Sequence, residues 1–190
     1  NLLGYNWNND SNTYNWTGGP NVTAGTWHHV ALVIEPDSAT LYLDGVGYVN
    51  SISHNPYDFD ATLYFGYDPQ SGFFDERNFK GQIDEVRIWT VSRSADDIMT
   101  YSNRILTGDE PGLFGYWRMD DTGSSGAGDA TGNGLTGTLV NMDPHSDWVN
   151  SNISINFTTG DDGAIADTLF GYVRWNTGGG NDPISNDKIN

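Results

Sequence analysis

Phe79-Lys80-Gly81-Gln82-Ile83-Asp84-Glu85-Val86-Arg87-Ile88-Trp89 is the stretch on which the reading of the fold turns. Gly81 marks a bend. Val86 and Ile88 alternate onto one apolar face while Ile83 and Trp89 weight the other, the two-residue period of a strand. Asp84 and Glu85 then read as a turn ligand and a solvated face. The strand runs into Ser92-Arg93-Ser94-Ala95-Asp96-Asp97-Ile98-Met99. Ser94 as N-cap with Asp97 three residues later makes a capping-box pair, which predicts one short helix near 94–102.

Upstream, Trp27–Glu35 is the strongest strand, with Val30, Leu32 and Ile34 facing one way. Pro36-Asp37-Ser38 turns it into Thr40–Leu43, and Asp44-Gly45 turns the chain again, a strong hairpin signal. Tyr48–Ser53 and Thr62–Tyr67 read as further strands. Leu2–Trp7 and Thr13–Trp16 read as a hairpin across a polar turn. Downstream, Gly112–Met119, Leu135–Asn141, Ile153–Phe157 and Leu169–Trp175 have strand character. Val86, Ile88, Leu32 and Leu43 are predicted to share one core.

Three motifs in order carry a family resemblance. Gly25-Thr26-Trp27-His28-His29-Val30-Ala31 is followed by Leu41-Tyr42-Leu43-Asp44-Gly45, and then by the Phe79–Trp89 stretch with its short helix. Together they resemble the laminin-G-like and pentraxin-like members of the concanavalin A-like lectin/glucanase superfamily. Gly115-Tyr116-Trp117 with Gly132-Asn133-Gly134 is similar to seams between modules of large bacterial surface proteins. The resemblance implies an all-β fold, a two-sheet antiparallel jelly-roll sandwich (concanavalin A-like / laminin-G-like) with one short helix. The domain would span 1–149, with its opening strands before Asn1. Residues 150–190 would be a linker, completing strands or the start of a neighbouring module.

Composition narrows the function classes. Twenty-five acidic residues against eight basic ones give a formal charge of −17, a surface that repels nucleic acid, which is bound through clustered Lys and Arg. No run of apolar residues is long enough for a membrane span. There is no cysteine, so neither a disulfide framework nor thiolate chemistry is available. With no initiator methionine, the chain reads as an excerpt of a larger secreted or cell-surface protein.

The chemistry follows from the loops. A retaining glycosidase needs two carboxylates about 5 Å apart on one face. Asp84 and Glu85 are adjacent and so point to opposite faces, and no enzyme is expected. Calcium is the candidate cofactor, because it takes six to eight oxygens from carboxylates, amides and carbonyls. Asp120, Asp121, Asp129 and Asn133 are the preferred ligand set, ahead of Asp58/Asp60 and Asp68/Asp75/Glu76; simple turn capping is the alternative for each. A glycan site would use exposed aromatic rings with polar neighbours. Tyr57, Tyr67, Phe73 and Phe74 beside Asp68, Gln70, Glu76 and Asn78 meet that description. The expected role is a non-catalytic adhesion or recognition module whose partners are a glycan, a surface protein or neighbouring copies. The competing role is a structural repeat or filament subunit assembled by strand completion.

Overall fold

The computed structural model describes residues 2–56, 62–67 and 78–150, together with two tail strands, 172–175 and 187–189. Among the described residues antiparallel pairing dominates and helix is confined to two short pieces. β1 (Trp27–Glu35), β2 (Ser38–Leu43) and β3 (Val46–Asn50) form a meander. Asp44 and Gly45 both have positive φ, 51° and 83°, the two-residue turn whose twist suits a tight hairpin. β4 (Gly81–Ile83) and β5 (Val86–Trp89) follow, then α2 (Ala95–Tyr101), β6 (Leu113–Trp117), β7 (Gly126–Ala127) and β8 (Gly137–Thr138). The tail supplies β9 (Tyr172–Trp175) and β10 (Asp187–Ile189). The largest sheet runs β10-β4-β9-β1-β2-β3, while β5-β6 and β7-β8 pair separately. All ladders are antiparallel except β10 with β4.

The deciding stretch is two strands rather than one. Glu85 has φ of 54°, a left-handed conformation that a side chain makes costly. The ladder stops there, so β4 stays in the large sheet while β5 pairs with β6. Asp84 and Glu85 are both buried, not a turn ligand and a solvated face. The sequence pattern gave no warning, because a break of one residue leaves the alternation on either side intact.

Two apolar clusters flank β5 and β6. Trp117, Met119, Ala127 and Trp148 form one, with Val86, Ile88 and Phe65 packed against it. Leu106, Leu113 and Tyr116 form the other, with Trp89 and Tyr101. Val86 and Ile88 therefore share a core as expected, and Leu43 is buried in the meander. Leu32 is not: it is 43% exposed in the middle of the most apolar strand.

Other expectations fail locally. Leu2–Trp7 and Thr13–Trp16 do not form a hairpin. Asp10 caps a helical turn, α1 (Ser11–Tyr14), by accepting from the Asn12 N–H, the local hydrogen bonding for which Asp and Asn compete with strand pairing. Residues 62–67 carry no strand pairing, and the Leu135–Asn141 strand shrinks to Gly137–Thr138. The N-terminal segment is held by polar contacts: Asn50 Nδ2 donates to the Tyr5 hydroxyl at 2.8 Å, which meets His54 Nε2 at 2.9 Å.

The helix begins as its sequence specifies. Ser94 Oγ accepts from the Asp97 N–H at 3.1 Å, and the Asp97 carboxylate accepts from the Ser94 N–H at 3.3 Å. These bonds hold the exposed Asp97 carboxyl below its ordinary range. Removing an N-cap costs about 1 kcal/mol, which in a domain of this size is a fall in Tm of roughly 2–4 °C. Ser94→Ala is expected to show that fall in a thermal melt, and Ser94→Asp, which keeps an acceptor, to stay within a degree or so of the parent.

Candidate functional site

The aromatic rim is built by the segment 62–67. Phe65 turns inward and meets the Trp117 ring edge-on at a centroid distance of 4.9 Å. Gly66 has φ of 76°, and its carbonyl accepts from the Phe79 N–H at 2.9 Å, tying the segment to the chain that enters β4. With Phe65 anchored, Tyr64 and Tyr67 are left outside at 44% and 46% exposure, their rings edge-to-face at 5.5 Å. Leu63 beside them is exposed as well. Asn78 is half-buried. Of the other expected glycan ligands, Tyr57, Asp68, Gln70, Phe73, Phe74 and Glu76 lie outside the described residues. Tyr64 was missed because the segment reads as a strand. Three aromatics within Tyr64-Phe65-Gly66-Tyr67 are more than one inward face needs, and that was the available signal.

The acidic loop is tied to itself. Asp129 accepts from the backbone N–H of Thr131, Leu135 and Tyr116 and from the Thr131 hydroxyl. Partial burial opposes ionisation of Asp129, but the bonds from Thr131 and the backbone outweigh it and hold the carboxyl below its usual range. Asp121 accepts from the Gly128 N–H at 2.8 Å, and Asn133 Nδ2 donates to the Phe114 carbonyl at 2.9 Å. Asp120 is exposed. Among the described residues, no three His, Asp or Glu side chains come together in a group that could hold a metal ion. Asp121, Asp129 and Asn133 thus do what turn-capping residues do.

A third feature was not read from the sequence. A cleft of about 820 Å³ separates β1 from β5 and α2, with walls that include Leu32, Ile34, Val86, Ile88 and Trp89. Its lining also includes His29, Glu85 and Arg87. Glu85, 3% exposed, accepts from Arg87 Nη2 at 2.8 Å and from the Tyr116 hydroxyl at 2.6 Å. Arg87 donates further to the carbonyls of Tyr101 and Arg104, clamping the end of α2 to β5. Next to His29, His28 Nδ1 lies 2.7 Å from the Asp44 carboxylate, on the opposite side of the strand.

Comparison with protein families gives a match. Residues 2–99, just over half of the chain, fit the laminin G family model described as the concanavalin A-like lectin/glucanases superfamily. The chain belongs to that superfamily. No curated protein and no solved structure gives a significant match. The matched region runs from the N-terminal segment into α2 and contains Tyr64, Tyr67, Asn78 and the Asp84-Glu85 pair. The acidic loop lies beyond it.

In a superfamily whose description names glucanases as well as lectins, Asp84 and Glu85 are the carboxylates to weigh for catalysis. Glu85 is committed to Arg87 and Tyr116, and Asp84 also borders a second cavity with Met119, Asp120 and Trp148. Burial pushes the Glu85 carboxyl up, to about 8, against the pull of Arg87 and the hydrogen bond from Tyr116. Burial raises the Tyr116 hydroxyl, with the Glu85 charge adding to it. Burial, then the Arg87 charge, pushes His29 down to about 4.

These shifts fix a pH dependence. Below its folded value of about 8, Glu85 holds a proton that the unfolded chain releases near 4.5, so its contribution to stability is lost as pH rises through that interval. His29 acts the other way between its folded value of about 4 and the ordinary 6.5, favouring the fold as pH rises. Above 6.5 the Glu85 contribution stands alone of the two. The Tm of the parent chain is expected to fall between pH 6.5 and 8 more steeply than that of Glu85→Gln, as read by calorimetry; parallel curves would show that Glu85 keeps no proton in the fold.

Proposed function

We propose that this chain is a non-catalytic recognition module of a secreted or cell-surface protein, and that it binds glycan through the rim carrying Tyr64 and Tyr67. The observation that carries the reading is the exposed edge-to-face pair of tyrosines, fixed from below by Phe65 against Trp117. A pyranose presents C–H groups on one face, which pack on an aromatic ring, while its hydroxyls take bonds from polar groups at the edge. A platform that is already ordered loses little side-chain freedom on binding. Asn78, next to Phe79 whose N–H is bonded to the rim, is a suitable amide neighbour. Membership of a superfamily that includes lectins supports the same reading. The non-catalytic part rests on Glu85, which borders the cleft but is 3% exposed and held by Arg87 and Tyr116.

Calcium enters this reading as an assisting ion, not as the support of the binding rim, because the acidic loop is closed by its own hydrogen bonds. The charge of −17 favours such an ion at the surface.

The test is a glycan-array screen of the chain, with calcium and with chelator, followed by titration of the best ligand. An aromatic contact contributes about 1 kcal/mol, so Tyr67→Ala and Tyr64→Ala are each expected to weaken binding by about five- to tenfold. Tyr14→Ala, which removes an exposed tyrosine from α1, should leave binding unchanged. An affinity that survives the Tyr64→Ala, Tyr67→Ala double variant would place the ligand elsewhere.

A further inference from the structure

β3 is the outermost strand of the large sheet. Its inner edge is taken by β2, with Leu43 opposite Val46, Leu41 opposite Tyr48 and Ala39 opposite Asn50. Only Asp44 and Gly45 separate Leu43 from Val46, so that first pair exchanges both of its hydrogen bonds and the pairs alternate from there. The Asp44 N–H, which donates to the His29 carbonyl on the far side of β2 at 2.9 Å, fits the same alternation. Val46, Tyr48 and Asn50 therefore turn their peptide groups toward β2. Those of Gly47 and Val49 point the other way, and no strand among the described residues meets them.

Edge strands are ordinarily guarded by charge, proline or a bulge. β3 has none of these: Val46-Gly47-Tyr48-Val49-Asn50 carries no charge and no proline, and its register with β2 runs without a shift. The uncharged run extends from Gly45 to Ser53, in a chain whose formal charge is −17. Val46 and Val49 are 57% and 58% exposed. A Cβ at Gly47 would lie 3.1 Å from the Tyr42 ring, so that ring lies across the glycine, the way aromatic rings shield edge glycines.

We infer that this edge pairs with the same edge of a second copy of the chain, antiparallel about a two-fold axis through Tyr48. The open groups set the register. With the two Tyr48 residues opposite one another, Gly47 falls opposite the partner's Val49, and Val49 opposite the partner's Gly47. Both pairs bring outward-facing peptide groups together, so every open N–H and C=O within β3 gains a partner. The side chains suit the same register. Each Val49 sits over a glycine and against the Tyr42 ring that crosses it, while the Tyr48 rings meet as a cross-strand aromatic pair on the other face. The overall charge favours a basic strand as partner, but such a strand finds no carboxylate among the residues of β3. A second copy meets no like charge there. One short strand from each copy makes a reversible dimer rather than a permanent one, and salt, by screening the −17 charge, strengthens it. The inference is independent of the glycan reading, because Tyr64 and Tyr67 lie outside β3.

The absence of cysteine allows a clean test in the full chain. The two Tyr48 residues would form a non-hydrogen-bonded pair with Cα atoms about 4.5 Å apart, inside disulfide reach. In high salt, Tyr48→Cys is expected to oxidise to a disulfide-linked dimer at least about tenfold faster than Tyr14→Cys, whose exposed side chain stands on α1. Sedimentation of the parent chain in the same buffer should show a dimer fraction that rises with protein concentration. Val49→Pro removes an N–H that β2 does not use, a change an edge strand accepts. That variant should keep a cooperative melt and sediment as a monomer over the same range. A parent chain that stays monomeric, or a Tyr48→Cys chain that cross-links no faster than Tyr14→Cys, overturns the inference. A dimer that persists in Val49→Pro overturns it as well, by placing the contact on another surface.

Discussion

The arrangement of this molecule depends on one buried set, Glu85 with Arg87 and Tyr116. Glu85 sits in a left-handed conformation at the break between β4 and β5, a local cost of order 1–3 kcal/mol that surrounding contacts must offset. Those contacts are present. Arg87 and Tyr116 both bond to the same carboxylate oxygen, and Arg87 reaches two carbonyls at the end of α2 and beyond. One side chain thereby joins the backbone break, β5, β6 and the helix. A buried polar set contributes little net stability once desolvation is counted, yet breaking it from one side is costly. Its role here is to specify which way the chain turns.

That turn separates two parts of the strand framework. β4 continues in the large sheet, and β5 leaves it to pair with β6, so that Val86 and Ile88 pack on the Trp117 cluster. Trp117 in turn meets Phe65, and it is Phe65 that leaves Tyr64 and Tyr67 outside. The exposed tyrosine pair is thus a consequence of a buried contact. The cleft between β1 and β5 follows from the same divergence. It is lined by residues of β1 on one side and of β5 and α2 on the other.

Much of the fold was legible. The β1–β2–β3 meander is written in alternating apolar residues and the Asp44-Gly45 turn, and α2 in Ser94 and Asp97. Such signals are local: a turn needs positive φ within two residues, and a cap needs an oxygen three residues from an N–H. The failures share a cause. Leu32 has every sequence attribute of a core residue, but burial depends on what lies across from it, and no pattern within β1 carries that information. Tyr64 and Phe65 are neighbours of similar chemistry that the packing against Trp117 separates. For Asp121, Asp129 and Asn133, composition does not separate calcium ligands from turn caps, because it does not specify the bonds that these side chains make to the loop and to β6.

The sequence alone determined that the chain is built mainly of antiparallel strands, that one capped helix follows the Asp84–Trp89 region, and that its motifs are those of the laminin G-like group. Each rests on contacts within a few residues or on the order of such contacts along the chain. Tertiary structure alone decided that the central stretch divides at Glu85, that the pair Asp84-Glu85 is buried, that Tyr64 joins Tyr67 on the surface, and that a cleft lies between β1 and β5. These depend on residues far apart in sequence, Glu85 with Tyr116 and Phe65 with Trp117, whose meeting is set by the packing of whole strands.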